Sequence, residues 1–253
     1  MRRAPLSTAP GLWVLAAALV AACGGDSEPP VDPARARLEA EVAEVRQALE
    51  DGAGEPARLH FRLGTVFERY GLLDSAAAAY GRATAAHAAF PEAHYQLGQV
   101  DFARGRVGEA LEAYRQAVRW APDFAAAHSN LGYLHKMRGE LDEAEAAYLE
   151  ALRCDSTFAE ARNNLGQVYK EREEWEQAIA CYRAAIRVSP DLEQAYANLA
   201  MSLRETGRAD EEAELLQEMA SRFASSRTGA YAASRLQELR ALGPPETAEA
   251  PPP

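Results

Sequence analysis

Reactive chemistry is what this chain of 253 residues has least of. Three cysteines are too few for a disulfide framework to organise it. No Cys-x-x-Cys pair, phosphate-binding glycine loop or serine elbow occurs, so the signatures of common redox, nucleotide and hydrolase sites are missing. Five histidines are present, yet no two stand three or four residues apart, as a zinc-binding helix requires. No apolar run approaches the roughly 20 residues of a membrane-spanning helix; the run from Leu12 to Ala22 stops well short. Positive charge is scarce too: 27 Lys and Arg face 38 Asp and Glu, for a net charge of −11. Nucleic acid, held mainly through phosphate contacts, is a poor partner for such a chain. These absences exclude no fold, but they point away from an enzyme, a cofactor, a metal site and a small-molecule substrate.

What the chain does have is a period of 34 residues. Leu63, Leu97, Leu131, Leu165 and Leu199 form one column, and Gly64, Gly98, Gly132 and Gly166 the next, with Ala200 closing it. Ala76, Ala110, Ala144 and Ala178 follow, then Tyr80, Tyr114, Tyr148 and Tyr182, then Ala83, Ala117, Ala151 and Ala185. A fixed period in this range marks a solenoid. A glycine inside a helix costs about 1 kcal/mol relative to alanine, so a recurring one has a packing reason. The expected reason is close contact of two antiparallel helices, Gly98 meeting Ala110 and Ala117, with Leu97, Val100, Leu111 and Tyr114 supplying bulk around them. Gly71, Gly105, Gly139 and Gly207 are placed to end the first helix in the left-handed conformation. Arg104 and Arg138 precede two of them and suit the negative end of a helix dipole. Pro122 and Pro190 close second helices.

The columns Leu97, Gly98, Ala110, Tyr114, Ala117 and Pro122 resemble the tetratricopeptide repeat. The resemblance implies an all-α, right-handed α-solenoid of helix-turn-helix repeats with capping helices. Residues 57–90, 91–124, 125–158 and 159–192 read as regular copies. A fifth copy, 193–226, departs from them: Glu212 and Met219 fall in the alanine columns, and Ala213 could take the small-residue role if the helix shifted by one. Ahead of the repeats, Pro33 opens an amphipathic helix with Leu38, Val42, Val45 and Leu49 on one stripe, an N-terminal cap over 33–56. Behind them, 227–242 reads as a C-terminal cap with Ala230, Tyr231, Ala233 and Leu236 inward and Arg235, Gln237, Glu238 and Arg240 outward. The proline-rich tail 243–253 has no core-forming pattern.

Residues 1–22 have the anatomy of a signal peptide: Arg2 and Arg3, an apolar run, and small residues before Cys23. Val20-Ala21-Ala22-Cys23 resembles the bacterial lipobox, which implies that Cys23 is acylated and becomes the mature N-terminus. Gly24 and Gly25 after it, in place of an aspartate, resemble lipoproteins sent to the outer membrane. The expected location is therefore the periplasmic face of that membrane in a Gram-negative bacterium, with residues 23–32 as a flexible tether. Cys154 and Cys181 remain. One ends a second helix and the other is mid-helix in the next unit, so they are expected beyond the ~7 Å Cα separation of a disulfide, as small buried side chains.

Solenoids bind through their concave side, which in the resembled family is lined by the first helix of each unit. Gln96, Asn130, Asn164 and Asn198 form an amide ladder there, and Lys136, Lys170 and Arg204 a cationic ladder six residues later. Six residues place the ladders about 120° apart, bordering a strip in which Tyr133 lies. Amides can both donate to and accept from an extended peptide backbone; the cations would favour acidic side chains or a C-terminal carboxylate. Phe61, Tyr95 and Tyr133 could add apolar contacts. His60, His94 and His128 recur in a slot where the family often places a large aromatic. The expected function is a lipid-anchored, non-catalytic adaptor holding a protein or peptide segment. The alternative is an assembly or pilot lipoprotein of a pilus- or secretin-type envelope complex, working through convex faces or homo-oligomerisation.

Overall fold

The computed structural model describes residues 32–242, which form twelve α-helices and, among the described residues, no strand. The leader, Cys23, the tether up to Val31 and the tail 243–253 lie outside them. α1 (Pro33–Glu50) precedes five helix pairs. They are α2 (Pro56–Arg69) with α3 (Leu73–Ala86), α4 (Pro91–Ala103) with α5 (Val107–Trp120), and α6 (Ala125–Met137) with α7 (Leu141–Cys154). α8 (Ala159–Glu171) with α9 (Trp175–Val188) and α10 (Glu193–Glu205) with α11 (Ala209–Arg222) complete them, and α12 (Arg227–Leu242) closes the array. Contacts run almost entirely between neighbours in the chain, the one-dimensional pattern of a right-handed α-solenoid.

Each pair closes on a turn of the same form. Gly71, Gly105, Gly139 and Gly207 sit at φ of +72°, +75°, +74° and +69°. The fourth repeat has no glycine there, and Glu173 adopts the same conformation at φ +61°, a strain of about 1–2 kcal/mol for a residue with a Cβ. Within a pair the nearest neighbours of the glycine column are tyrosine rings. A Cβ on Gly64, Gly98, Gly132 or Gly166 would stand 2.5, 2.7, 2.9 or 2.6 Å from the ring of Tyr80, Tyr114, Tyr148 or Tyr182. The glycine is a seat for the tyrosine ring of the second helix, and the alanines let the backbones approach.

Three arginines at or beside the turns, Arg104, Arg172 and Arg208, form inter-repeat clamps. Arg104 bonds Asp101 of its own helix at 2.7 Å and Asp74 of the preceding repeat at 2.6 Å. Arg172 holds Asp142 and Glu145 of the preceding repeat, and Arg208 joins Glu176 to Glu211. Arg138 pairs with Glu140 at 2.8 Å.

Both ends are covered. Asp32 caps α1, accepting from Ala34 N at 3.0 Å, and Val42 and Val45 bury against Leu63 and Val66. In the fifth pair the second helix does not shift: Glu212 and Met219 themselves occupy the alanine positions, both buried, while Ala213 is half-buried. α12 packs through Gly229, Ala232, Leu236 and Leu239, leaving Ala230, Tyr231 and Ala233 exposed. The inward stripe is thus rotated from the expected one, because Gly229 lies so close to the Phe223 backbone that no side chain fits there. Arg235 is also drawn inward, to Glu212 at 3.1 Å. Cys154 and Cys181 are free thiols. Cys154 lies against the Pro122 carbonyl at 3.5 Å, and burial pushes the Cys181 thiol up to about 11.

Candidate binding groove

Curvature follows from which helices touch. Among first helices α6 meets α8 and α8 meets α10, and no two successive second helices come as close. The first helices therefore line the inside of the curve, and the residues read from the sequence as groove-facing lie on them.

The amide ladder is not uniform. Asn130 is half-buried, within hydrogen-bonding reach of the Tyr95 and Tyr114 hydroxyls. Burial pushes both phenols up, and Asn130 partly offsets it. An amide there can both donate and accept. Asn164 is half-buried and accepts from Asn163 Nδ2 at a long 3.4 Å, leaving its own NH2 without a partner among the described residues. Asn198 is different. It is 6% exposed, donates to Asn163 Oδ1 at 2.9 Å and accepts from Gln194 at 3.4 Å. That amide joins two repeats. Gln96 is half-buried, with Oε1 buried and unpartnered among the described residues.

The cations differ as well. Lys136 and Lys170 are the only lysines in the chain. The Lys136 side chain is 14% exposed, donates to Gln167 Oε1, lies 3.9 Å from Glu171 and sits 6.0 Å over the Tyr133 ring. Desolvation lowers its pKa, with Glu171 opposing. Lys170 is half-buried, and Arg204 is exposed, 3.8 Å from Glu205. Two of the three cations are thus already paired with carboxylates.

Of the aromatics, Tyr133 is 38% exposed and meets Phe102 edge-on, at 5.7 Å and 88°. Between α4 and α6 these two rings, with Gln99, Tyr114, Asn130 and Leu134, line a cavity of about 330 Å³. Phe102 and Gln99 were not singled out from the sequence; the signal was their place on the inner face of α4. Tyr95 stacks on Phe124 at 4.8 Å, and Phe61 on Phe90 at 5.2 Å, so both pack against aromatics of their own repeat. Phe61 also borders a wider hollow of about 530 Å³ with Arg58, His87 and Phe90.

The histidine column does structural work. His94 Nε2 donates to the Ala88 carbonyl at 2.9 Å and His128 Nε2 to that of Pro122 at 3.0 Å; Arg162 reaches Ser156 O in the same way. In the fifth repeat the column holds Tyr196, fully buried against Ala200, Leu216 and Met219. His60 Nδ1 is buried without a partner among the described residues, and burial lowers its pKa.

Models of the tetratricopeptide repeat match residues 61–121, 95–157 and 147–180, and a further model of the same repeat matches 166–207. Together they span more than half of the chain. It is built of tetratricopeptide repeats. Among solved structures, MamA protein superposes with a TM-score of 0.60 at 24% identity, covering 78% of this chain and 100% of that one. MamA from Desulfovibrio magneticus RS-1 gives 0.57 at 18%, covering 76% and 99%. YrrB, described as a TPR protein with an unusual peptide-binding site, gives 0.62 at 17%, covering 76% and 99%. At such identities the likeness speaks for the fold alone. No curated protein sequence matches the chain.

Proposed function

We propose that this protein is a non-catalytic adaptor that holds an extended segment of a partner protein along the inner face of α4, α6 and α8. The carrying observation is the pair of half-buried amides one repeat apart, Asn130 in the lining of the cavity beside Tyr114 and Tyr133, and Asn164 with its NH2 without a partner among the described residues. A backbone offers both a donor and an acceptor at every residue, so such a pair binds main chain whatever its sequence. YrrB, of the same fold, is described as having an unusual peptide-binding site, which supports a peptide-binding reading. Asn198 has no part in it, since its amide is closed within the fold. The Val20-Ala21-Ala22-Cys23 motif supports acylation of Cys23 and a place at a bacterial envelope membrane, with the periplasmic side of the outer membrane favoured by Gly24 and Gly25.

The two lysines give the test a handle, because both lie on the inner face. An amine-reactive crosslinker added to a membrane extract should join the partner to the wild type. It should not do so to a Lys136→Arg, Lys170→Arg variant, which keeps the charge and removes the amines. Asn130→Ala with Asn164→Ala should weaken the isolated complex about tenfold, at about 0.5–1.5 kcal/mol per hydrogen bond. If both variants capture the partner as the wild type does, the groove is not the working surface and an assembly role through the outer helices takes its place. Anchoring is tested separately: Cys23→Ser should move the protein out of the detergent phase in which lipoproteins partition, and unchanged partitioning would exclude acylation.

A further inference from the structure

We infer that the cavity between α4 and α6 is the specificity pocket of this groove, taking one bulky apolar side chain, aromatic or branched aliphatic, from a bound segment whose flanking residues are neutral or basic. The inference rests on the groove reading and adds to it the chemistry of the ligand. About 330 Å³ is at the lower end of small-molecule pockets, room for one large side chain and its approach. Its lining combines Phe102, Tyr133, Tyr114 and Leu134 with the amides of Gln99 and Asn130. An apolar interior with two convergent amides is what a side chain needs below and its backbone above.

The walls are held in place before anything binds. Tyr133 is fixed edge-on by Phe102 and flanked by the Lys136 ammonium, and Gln99 donates to the Tyr95 hydroxyl at 3.2 Å. Little ordering remains to oppose binding, and such fixed aromatic contacts are the ones that dominate interface energies. Position along the groove is also set. The residues equivalent to Tyr133 on α2, α4, α8 and α10 are Thr65, Gln99, Gln167 and Met201, so at that position only α6 offers a ring. Met137, one turn further along α6 and 53% exposed, extends the apolar strip.

Charge argues against the acidic ligand suggested by the cationic ladder. Lys136, the cation beside the pocket, is already engaged by Gln167 and Glu171. A carboxylate reaching Lys136 would face Glu171, 3.9 Å from the ammonium, across a half-buried site, where like charges are poorly screened.

Random twelve-residue peptides displayed on phage are selected on the full chain, and the best is synthesised for titration. The expected consensus has one Phe, Tyr, Trp, Leu or Ile and no enrichment of Asp or Glu. Tyr133→Ala should weaken the peptide about tenfold, as should alanine at that peptide residue. The two changes together should cost little more than either, because they remove the same contact. Tyr133→Phe should bind as the wild type does, and an unchanged melting temperature excludes misfolding. Peptides keyed by Asp or Glu that depend on Lys136 and Lys170 but not on Tyr133 would overturn the pocket and leave the groove standing. Peptides indifferent to every inner-face substitution would overturn both. A library without enrichment would overturn the pocket, since a pre-formed pocket must select.

Discussion

Gly64, Gly98, Gly132 and Gly166 stand where a side chain has no room, each beneath a tyrosine ring of the second helix. The column was visible in the sequence, and so was its cost. Its partner was not, because periodicity shows which positions share a face but not which atoms meet across it. The fifth repeat reveals the rule by breaking both halves at once: Ala200 replaces the glycine, Leu216 replaces the tyrosine, and Tyr196 on the first helix refills the space. Gly166→Ala should therefore destabilise by about 1–3 kcal/mol, the cost of overpacking a filled core. Gly81→Ala, with nothing within 4 Å, should instead stabilise by roughly 0.5–1 kcal/mol. Gly166→Ala combined with Tyr182→Leu should cost clearly less than the sum of the two single changes, since it recreates the Ala200–Leu216 pair. Urea denaturation of the wild type, the two single variants and the double variant gives that coupling energy. Strict additivity would show that ring and glycine do not constrain each other.

At the scale of the helix pair, the exception in the alanine column becomes intelligible. Glu212 is 2% exposed, and its partner Arg235 comes from α12, so the ion pair joins the last repeat to its cap. The sequence showed an acid at a buried position, but the phase of α12 was needed to find the cation. Arg235→Ala leaves a buried carboxylate unpaired and should destabilise by about 3 kcal/mol, at the lower edge for such pairs because Arg235 is partly exposed. Glu212→Ala in the same chain should recover most of the loss, alanine being the residue at Ala76, Ala110, Ala144 and Ala178. If the double variant stays as unstable as Arg235→Ala, the cap is held by apolar contact and the pair is incidental. The turn clamps make a second prediction, in pH. Hydrogen bonds from Arg172 and Tyr169 hold the Glu145 carboxyl below its ordinary 4.5, and the bond from His135 does the same for Glu140. A depressed folded value means stabilisation present above pH 4.5 and lost as pH falls through the folded pKa. The urea midpoint should drop on acidification below about pH 4.5, and Glu145→Gln should shrink that drop while lowering the midpoint at neutral pH. A midpoint equally acid-sensitive in the variant would remove Glu145 from the account.

Over the whole molecule, the repeat architecture was legible because one pattern is written several times, and each copy checks the others. The working surface was less so. Asn130, Asn164 and Asn198 occupy the same register, yet one faces the pocket, one the open groove and one the interior; only neighbouring side chains such as Asn163 decide which. The same architecture limits how far a disturbance travels. Leu216, Met219 and Phe223 are covered by α12, and α12 is packed on α11. A chain ending at Ser226 would expose that cluster and leave Glu212 without Arg235. In a solenoid whose stability is a sum of units and nearest-neighbour interfaces, the loss falls on the adjacent units. Hydrogen exchange should then show protection falling in α10 and α11, while α4 to α6, three repeats away and lining the pocket, stay close to wild type. Equal loss of protection in every helix would mean that the five pairs unfold as one cooperative body. A nearest-neighbour account would then fail, and so would the expectation that pocket and cap can be altered independently.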